Sequence, residues 1–232
     1  MIKRAAHLFG VDIVRWKNNP SMTLLGLRAL PIRTIIDVGA NTGQFARIIS
    51  KVFPSAKLYC FEPLPDPFGL LSTWSEKQND RVVPFNLAIG DKEREVEMFL
   101  HEEHTPSSSL LKTTKLIEKL YPFTKKQKQI CVWQTTLDNV LKTCKVQLLP
   151  KLLIKVDVQG YEDRVIAGGH NTFSAASACI LEVALDTLYE SQAGFKDLVT
   201  MLNDLGYRYT GNMSQIYGRD GHCIYLDAVF MK

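Results

Sequence analysis

The sequence predicts an α/β fold with a mostly parallel seven-stranded sheet and an added β-hairpin-like excursion. From about residue 33, short β-branched runs alternate with longer stretches of helical spacing, which is typical of parallel strands joined by crossover helices. The run at 33–38 leads into a glycine-rich turn and an apolar-periodic helix. Two segments with strand alternation, 94–100 and 129–136, bracket the excursion.

The elements follow in order along the chain. Helix-like segments carry apolar residues at helical spacing, and strand-like segments are β-rich and bounded by turn residues. The other predicted strands are 57–63, 81–90, 151–160, 178–185, 207–213 and 222–230. The predicted helices are 43–53, 69–78, 136–143, 161–169 and 191–204.

Composition indicates a globular protein with one large domain. The chain has 232 residues, of which 46% are hydrophobic and 22% charged, and its mean hydropathy is −0.05. We expect an N-terminal helical extension at 1–32, which opens with an amphipathic helix, and a catalytic domain at 33–232. We expect no transmembrane segment, because no run approaches the roughly 18 apolar residues of a membrane span.

Charge and cysteine content narrow the class of partner and the compartment. The net charge is +4, and the basic residues are spread along the chain, so no nucleic-acid partner is expected. The five cysteines are far apart and include no CxxC spacing, which favours a reducing, cytoplasmic compartment over a disulfide framework or a zinc site.

The turn after the first strand points to a nucleoside cofactor. Gly39 and Gly43 let the backbone approach a ligand closely, and Asn41 tolerates a left-handed conformation. The turn lacks the GxGxxG pattern that seats a pyrophosphate, which disfavours an NAD-dependent oxidoreductase. S-adenosylmethionine has no phosphate, and Asp37 is placed favourably for its cationic groups.

A second acid supports the same cofactor. Glu62 ends the second strand, 19 positions after Gly43. At that spacing the carboxylate lies beside the glycine turn at the tip of the neighbouring strand, where it can accept hydrogen bonds from both ribose hydroxyls.

The chain resembles the FkbM family of methyltransferases over roughly residues 33–231. The segments that carry the resemblance are DVGANTGQFA, FEP, AIGD, the serines at 107–109 with the following two leucines, TLD, IKVDVQGYE, LGY and YLDAVF. The resemblance implies a Rossmann-like class I methyltransferase fold that uses S-adenosylmethionine to methylate a hydroxyl of a sugar or small metabolite. It also raises the expectation that Asn86 and Ala88 contact the adenine. Family members commonly carry Glu where this chain has Gln159, so a function that needs a carboxylate there is in doubt.

Two further acids are candidates for catalysis. Asp157 and Glu182 end neighbouring predicted strands, and ligands of open α/β sheets lie outside the carboxyl ends of the strands. The two carboxylates are expected to orient the acceptor or take its proton, with Asp157 the first choice for the base. They could also hold a divalent metal, although no spacing argues for one. His101 and His104, in the excursion, are expected to be solvated.

The sequence leaves several alternatives open. The same fold could methylate RNA or protein, or could bind an adenosyl cofactor without catalysis. The leading expectation is a small-molecule or carbohydrate acceptor, over which the excursion at 101–128 closes.

Overall fold

The computed structural model describes residues 24–232. The amphipathic helix expected at the start of the chain lies outside the described residues. Leu24–Ala29 form a short 3-10 helix with a kink at Leu25 and Gly26. Within the described part of the chain, no helix is both long and apolar enough to cross a membrane.

The main sheet has seven strands in the order β3-β2-β1-β7-β8-β10-β9. The strands from β3 to β8 are parallel, whereas β10 runs antiparallel to both β8 and β9. This arrangement confirms the predicted fold class. The seven strands are β1 (Thr34–Val38), β2 (Lys57–Phe61), β3 (Val82–Phe85), β7 (Leu152–Val156), β8 (Ala178–Ala184), β9 (Arg208–Tyr217) and β10 (Cys223–Met231).

Helices connect the strands and cover both faces of the sheet. They are α1 (Gln44–Val52), α2 (Pro65–Ser75), α3 (Lys115–Leu120), α4 (Leu137–Thr143), α5 (Glu162–Gly168), α6 (His170–Ala175) and α7 (Phe195–Asp204). Short 3-10 helices cover Glu76–Gln78, Thr105–Ser107 and Pro122–Lys125.

The central strands are buried on both faces, as parallel strands under two layers of helices must be. Every residue of β1 and β7 is buried. The apolar core is therefore divided by the sheet. One side includes Ile36, Val38, Phe61, Ile154 and Leu181, and the other includes Ile35, Leu58, Leu153, Ile180 and Val229.

Two charged residues interrupt these apolar strands. Asp37 of β1 is in register with Lys155 of β7, and paired residues on neighbouring strands point to the same face. The core thus carries an acid and a base side by side, directly below the carboxyl ends of the strands.

A second, three-stranded sheet has the order β4-β6-β5 and accounts for the predicted excursion. Its strands are β4 (Ala88–Ile89), β5 (Arg94–Leu100) and β6 (Lys128–Thr135). β5 and β6 pair antiparallel, as a hairpin does, and residues 101–127 connect them. The single strand predicted at 81–90 is divided between the two sheets, because β4 pairs with β6 while β3 pairs with β2.

Candidate active site

A cavity of about 360 Å³ lies at the carboxyl ends of β1, β2, β7 and β8. Its position matches the crevice at which doubly wound sheets bind ligands. Most of the site residues predicted from the sequence line it, namely Gly39, Asn41, Glu62, Ala88, Asp157 and Glu182. Asp37, Gly43 and Asn86 are not among the lining residues.

The glycine turn has the left-handed backbone that the sequence predicted. The φ angles are +82° at Gly39, +47° at Asn41 and +87° at Gly43. Gly43 precedes α1 and packs against α2, where an added Cβ would lie 3.0 Å from Leu71 Cδ1. Glycine at position 43 is thus explained by the turn and by packing against α2, and not by close approach of the backbone to the cavity.

Gly39 is required by the neighbouring strand. A Cβ at this position would lie 1.8 Å from the carbonyl oxygen of Asp157, which is a steric clash. The chain after β1 and the chain after β7 are held this close by a hydrogen bond from Asp157 N to Val38 O, 3.0 Å long. Gly39 therefore lets Asp157 reach the same cavity as the turn.

The N–H groups of the turn are all used within the protein. Gly39 and Ala40 donate to Phe61 O, Asn41 to the Glu62 carboxylate, Thr42 to Asn41 Oδ1 and Gly43 to Ala40 O. A pyrophosphate site needs such donors free to point at the ligand. The turn itself therefore offers no free N–H group to a phosphate.

Glu62 is fixed beside this turn. Its Oε2 accepts from Asn41 N and its Oε1 from Leu64 N, both at 2.8 Å. Burial raises the pKa of the Glu62 carboxyl to about 7, although the two backbone donors oppose this shift. Each oxygen keeps a lone pair, so the carboxylate is oriented and can still accept a ligand hydroxyl.

Two other predicted cofactor residues have different surroundings. Asn86 is exposed, and its amide donates to the backbone oxygens of Glu62 and Pro63 at 2.9 and 3.0 Å, so it braces the end of β2 from outside the cavity. Ala88 lines the cavity beside Leu64 and Leu87, and these side chains give this end an apolar wall.

Asp37 is fully buried beneath the cavity. Neither of its carboxylate oxygens receives a hydrogen bond from residues 24–232. Burial raises the pKa of the Asp37 carboxyl to about 6, against the opposing effect of the Lys155 charge. A buried acid without a hydrogen-bond partner costs stability, which is typical of functional sites.

Asp157 and Glu182 form an acidic pair that also lines the cavity. The side-chain nitrogen of Gln159 lies 2.8 Å from Asp157 Oδ1 and 2.5 Å from Glu182 Oε1. Lys155 Nζ donates to Asp157 Oδ2 at 2.8 Å. Burial raises the pKa of Glu182 well above its ordinary value, and the charge of Asp157 adds to this effect. In this pair, Asp157 is held by the Lys155 cation, whereas Glu182 has a pKa that burial raises.

Comparison with known proteins agrees with this geometry. The family model of the methyltransferase FkbM domain matches residues 37–209. The chain belongs to the FkbM methyltransferase family. It is accordingly an S-adenosylmethionine-dependent methyltransferase.

Individual relatives support the assignment. The 2-O-methyltransferase NoeI of Sinorhizobium fredii is 27% identical over 187 residues, which cover 77% of this chain and 74% of NoeI. A crystal structure of a methyltransferase FkbM from Methylobacillus flagellatus is 13% identical, with a TM-score of 0.55. That match covers 87% of this chain and 44% of the larger protein. At 13% identity, it shows a shared fold.

The segment between β5 and β6, residues 101–127, forms one wall of the FkbM site and is called the covering segment below. It contributes Thr105, Pro106, Ser108 and Leu110 to the cavity lining. Asn41 Nδ2 donates to Thr105 Oγ1 at 3.1 Å, which joins the covering segment to the glycine turn. The predicted excursion thus lies over the site.

Within the covering segment, one sequence expectation was wrong. His101 is fully buried, and no hydrogen bond from the described residues reaches either ring nitrogen. Burial lowers the pKa of its imidazole. The alternation of β5 ends at this residue, which turns inward and not towards solvent. His104 is exposed, as predicted.

Four residues near the acidic pair were not predicted to take part in the site, although Gln159 stood out as a departure from the family pattern. Lys155 is in a buried apolar strand, and Gln159 is in a bend after β7. Tyr189 forms an isolated β-bridge with Thr113, and Asp227 faces Glu182 across the β8–β10 register. Burial alone would lower the pKa of the Lys155 ammonium, but the charges of Asp157 and Asp37 outweigh it and raise the pKa. The available signals were a lysine in an otherwise apolar buried strand and the departure from the family pattern at Gln159.

No metal centre is evident in the part of the chain that the structure describes. Residues 24–232 contain no group of three or more His, Cys, Asp or Glu side chains arranged to hold a metal ion. Around the acidic pair, cationic and amide donors from Lys155 and Gln159 contact the carboxylates instead.

Proposed function

We propose that this FkbM domain methylates a hydroxyl oxygen of a sugar, a glycan or another small metabolite. The observation that carries the proposal is that Asp157 and Glu182 share the Gln159 amide in the same cavity as Glu62 and the glycine turn. A hydroxyl acceptor needs groups that orient it and accept its proton, and two carboxylates supply both. The name of the relative NoeI, a 2-O-methyltransferase, is consistent with oxygen as the methylated atom.

The residues of the cavity fit the parts of the cofactor. S-adenosylmethionine supplies a methyl group that its sulfonium activates for displacement. Glu62 is placed to accept both ribose hydroxyls, and Leu64, Leu87 and Ala88 offer an apolar wall for the adenine. Asp37 supplies negative charge below the site, which favours a cationic donor.

Glu182 is the better candidate for the proton acceptor. The sequence favoured Asp157, but both Asp157 oxygens are already held, one by Lys155 and one by Gln159. Glu182 accepts one bond, from Gln159, and no hydrogen bond from the described residues reaches its other oxygen. Burial also raises the pKa of Glu182, which makes its ionised carboxylate a stronger proton acceptor than an ordinary glutamate. We assign proton removal to Glu182 and acceptor orientation to Asp157.

The charges around the acidic pair favour an acceptor that carries no charge of its own. Asp157, Glu182 and Asp227 line the cavity together with Lys155, the one cation among its described lining residues. A phosphate or carboxylate on the acceptor would be repelled, whereas sugar hydroxyls can donate to the carboxylates. This argues against RNA methylation, which would also require salt-sensitive binding.

The direct test is transfer of labelled methyl from S-adenosylmethionine to a panel of methyl glycosides and to total extracts of sugars, lipids and small metabolites. Mass spectrometry then identifies the labelled product and the atom that carries the methyl group. We expect an O-methylated neutral product. Label found only in RNA, in protein or on nitrogen would contradict the proposal.

Variants of the acidic pair test the roles. Glu182→Gln is expected to lower kcat about 100-fold or more, as loss of a general base does, while calorimetry shows unchanged cofactor affinity. Glu190→Gln, an exposed glutamate on the following loop, is the matched control. Full activity of Glu182→Gln would remove Glu182 from the role of base.

A further inference from the structure

Gln159 occupies an unusual place in the site. It follows β7 in a left-handed conformation, with φ +58°, which is uncommon outside glycine and indicates that the surroundings hold the residue there. Its side-chain nitrogen contacts one oxygen of each member of the acidic pair. A primary amide carries two N–H donors, so each carboxylate receives one.

Tyr189 fixes which way this amide faces. Its hydroxyl lies 2.8 Å from Gln159 Oε1, and the tyrosine is only 1% exposed. The reverse orientation of the amide would turn its carbonyl oxygen towards two carboxylates. The orientation with the nitrogen on the acidic pair and the oxygen on the hydroxyl satisfies all of the groups.

The covering segment contacts the same two residues. Ser109 Oγ donates to Gln159 O at 2.7 Å, and the Tyr189 hydroxyl is also 2.9 Å from Ser107 O. A phenolic hydroxyl has one proton, so Ser107 O and Gln159 Oε1 compete for it. The position of the covering segment therefore acts on the bond that orients Gln159.

We propose that Gln159 is the positioning residue of the acidic pair, held in its orientation by Tyr189 and thereby linked to the covering segment. The inference rests on the proposed function, because it gives the acidic pair its acceptor-side role. Gln159 holds Glu182 beside Asp157 with one oxygen towards the cavity, and the covering segment holds the Gln159 backbone through Ser109.

Charged and titratable groups surround Glu182 on every packed side. Lys155 is in β7 and Asp157 follows that strand, β10 contributes Asp227 and Tyr225, and Tyr189 follows β8. The Gln159 amide differs from these groups, because it donates a hydrogen bond directly to Glu182 and carries no charge. Since its N–H favours the ionised carboxylate, loss of this bond raises the pKa of Glu182.

The test measures the titration of Glu182 directly. Protein labelled with ¹³C at glutamate carboxyls is saturated with S-adenosylhomocysteine, and the Glu182 resonance is assigned with Glu182→Gln. The variants are Gln159→Met, which keeps side-chain length without the donors, and Tyr189→Phe, which removes only the hydroxyl. Tyr207→Phe is the matched control, because its buried hydroxyl donates to Phe173 O at 2.7 Å, away from the acidic pair.

The expected result is a titration midpoint of Glu182 at higher pH in Gln159→Met and in Tyr189→Phe, with unchanged affinity for S-adenosylhomocysteine. Limited proteolysis of the covering segment becomes faster in Tyr189→Phe. With an acceptor from the glycoside panel, kcat falls about tenfold, as expected for one buried hydrogen bond. Tyr207→Phe moves none of these readouts, even where it lowers Tm.

A wild-type midpoint in both variants would overturn the inference and leave Gln159 a purely structural residue. If Gln159→Met does not bind S-adenosylhomocysteine, Tyr189→Phe decides alone, because its ring still fills the buried site. The titration needs no acceptor. Failure of the proposed acceptor class would therefore appear in the transfer assay and not in this measurement.

Discussion

Glu62 accepts a hydrogen bond from the backbone N–H of Asn41, with 2.8 Å between Oε2 and the nitrogen. The contact joins the end of β2 to the glycine turn after β1. It fixes the carboxylate at the boundary between the turn and the apolar wall of the cavity. The proposed contact of Glu62 with the cofactor ribose depends on this arrangement.

Glu62→Gln is expected to weaken cofactor binding by about 10- to 100-fold, the usual effect of losing a hydrogen bond to a charged group. The amide of glutamine has one acceptor oxygen, so it cannot receive both Asn41 N and Leu64 N and also serve the ribose. Calorimetry with S-adenosylhomocysteine measures the change. Glu95→Gln, an exposed glutamate on β5, is the control, and equal affinities of the two variants would contradict this role.

Cofactor affinity should also depend on pH. The pKa of Glu62 is raised to about 7, so the group gains a proton as the pH falls through neutrality and loses acceptor capacity. We expect affinity for S-adenosylhomocysteine to be highest above pH 7 and to decrease below it. The same titration of Glu62→Gln should be flatter. A wild-type affinity that is constant from pH 5.5 to about pH 8.5 would refute the dependence.

The strand-end acids were predictable, because position at the end of a parallel strand determines where a side chain points. Glu62, Asp157 and Glu182 each end a strand with a clear sequence pattern, and all three line one cavity. Asn86 was expected at the adenine from the family resemblance. It lies outside, because the chain turns between β3 and β4 to join the second sheet.

The environment of the acidic pair could not be predicted. The contact between Gln159 and Tyr189 joins residues 30 positions apart that lie outside the named strands and helices, where no periodic pattern indicates a partner. Asp227 reaches the site because β10 inserts antiparallel between β8 and β9. Such pairings depend on topology, and a local sequence pattern does not specify it.

Gly39→Ala tests whether the close approach of β1 and β7 is needed. The added Cβ would lie 1.8 Å from Asp157 O, so the two strand ends must separate. Gly206→Ala is a matched control with nearly the same φ, +85° against +82°, and with nothing within 4 Å of the new Cβ. We expect a loss of about 1 kcal/mol in unfolding free energy for Gly206→Ala and at least ~2 kcal/mol more for Gly39→Ala. Equal losses in denaturant unfolding would show that no clash exists.

Asp37→Asn should make the protein more stable at neutral pH. The pKa of Asp37 is raised to about 6 from 3.8, so the folded state retains a proton that the unfolded state loses between these values. Stability of the wild type therefore falls as pH rises from about 4 to 6, by roughly 2 to 3 kcal/mol, and Asp37→Asn lacks this fall. Denaturant unfolding at pH 4 and pH 8 measures the difference. A variant that is no more stable than the wild type at pH 8 would refute the prediction.

The same variant separates a charge effect on the cofactor from a steric one. Asp37 is below the cavity, so it acts on the donor through its charge. Asp37→Asn should weaken binding of the cationic S-adenosylmethionine more than binding of S-adenosylhomocysteine, which lacks the sulfonium charge. Equal weakening of both would indicate a change in the shape of the site.

The most direct test of the central claim is a crystal structure of the protein with S-adenosylhomocysteine. We expect the ribose hydroxyls within hydrogen-bond distance of Glu62, the adenine against Leu64 and Ala88, and the sulfur near Asp157. A cofactor bound elsewhere, or bound in this cavity without contact to Glu62, would contradict it.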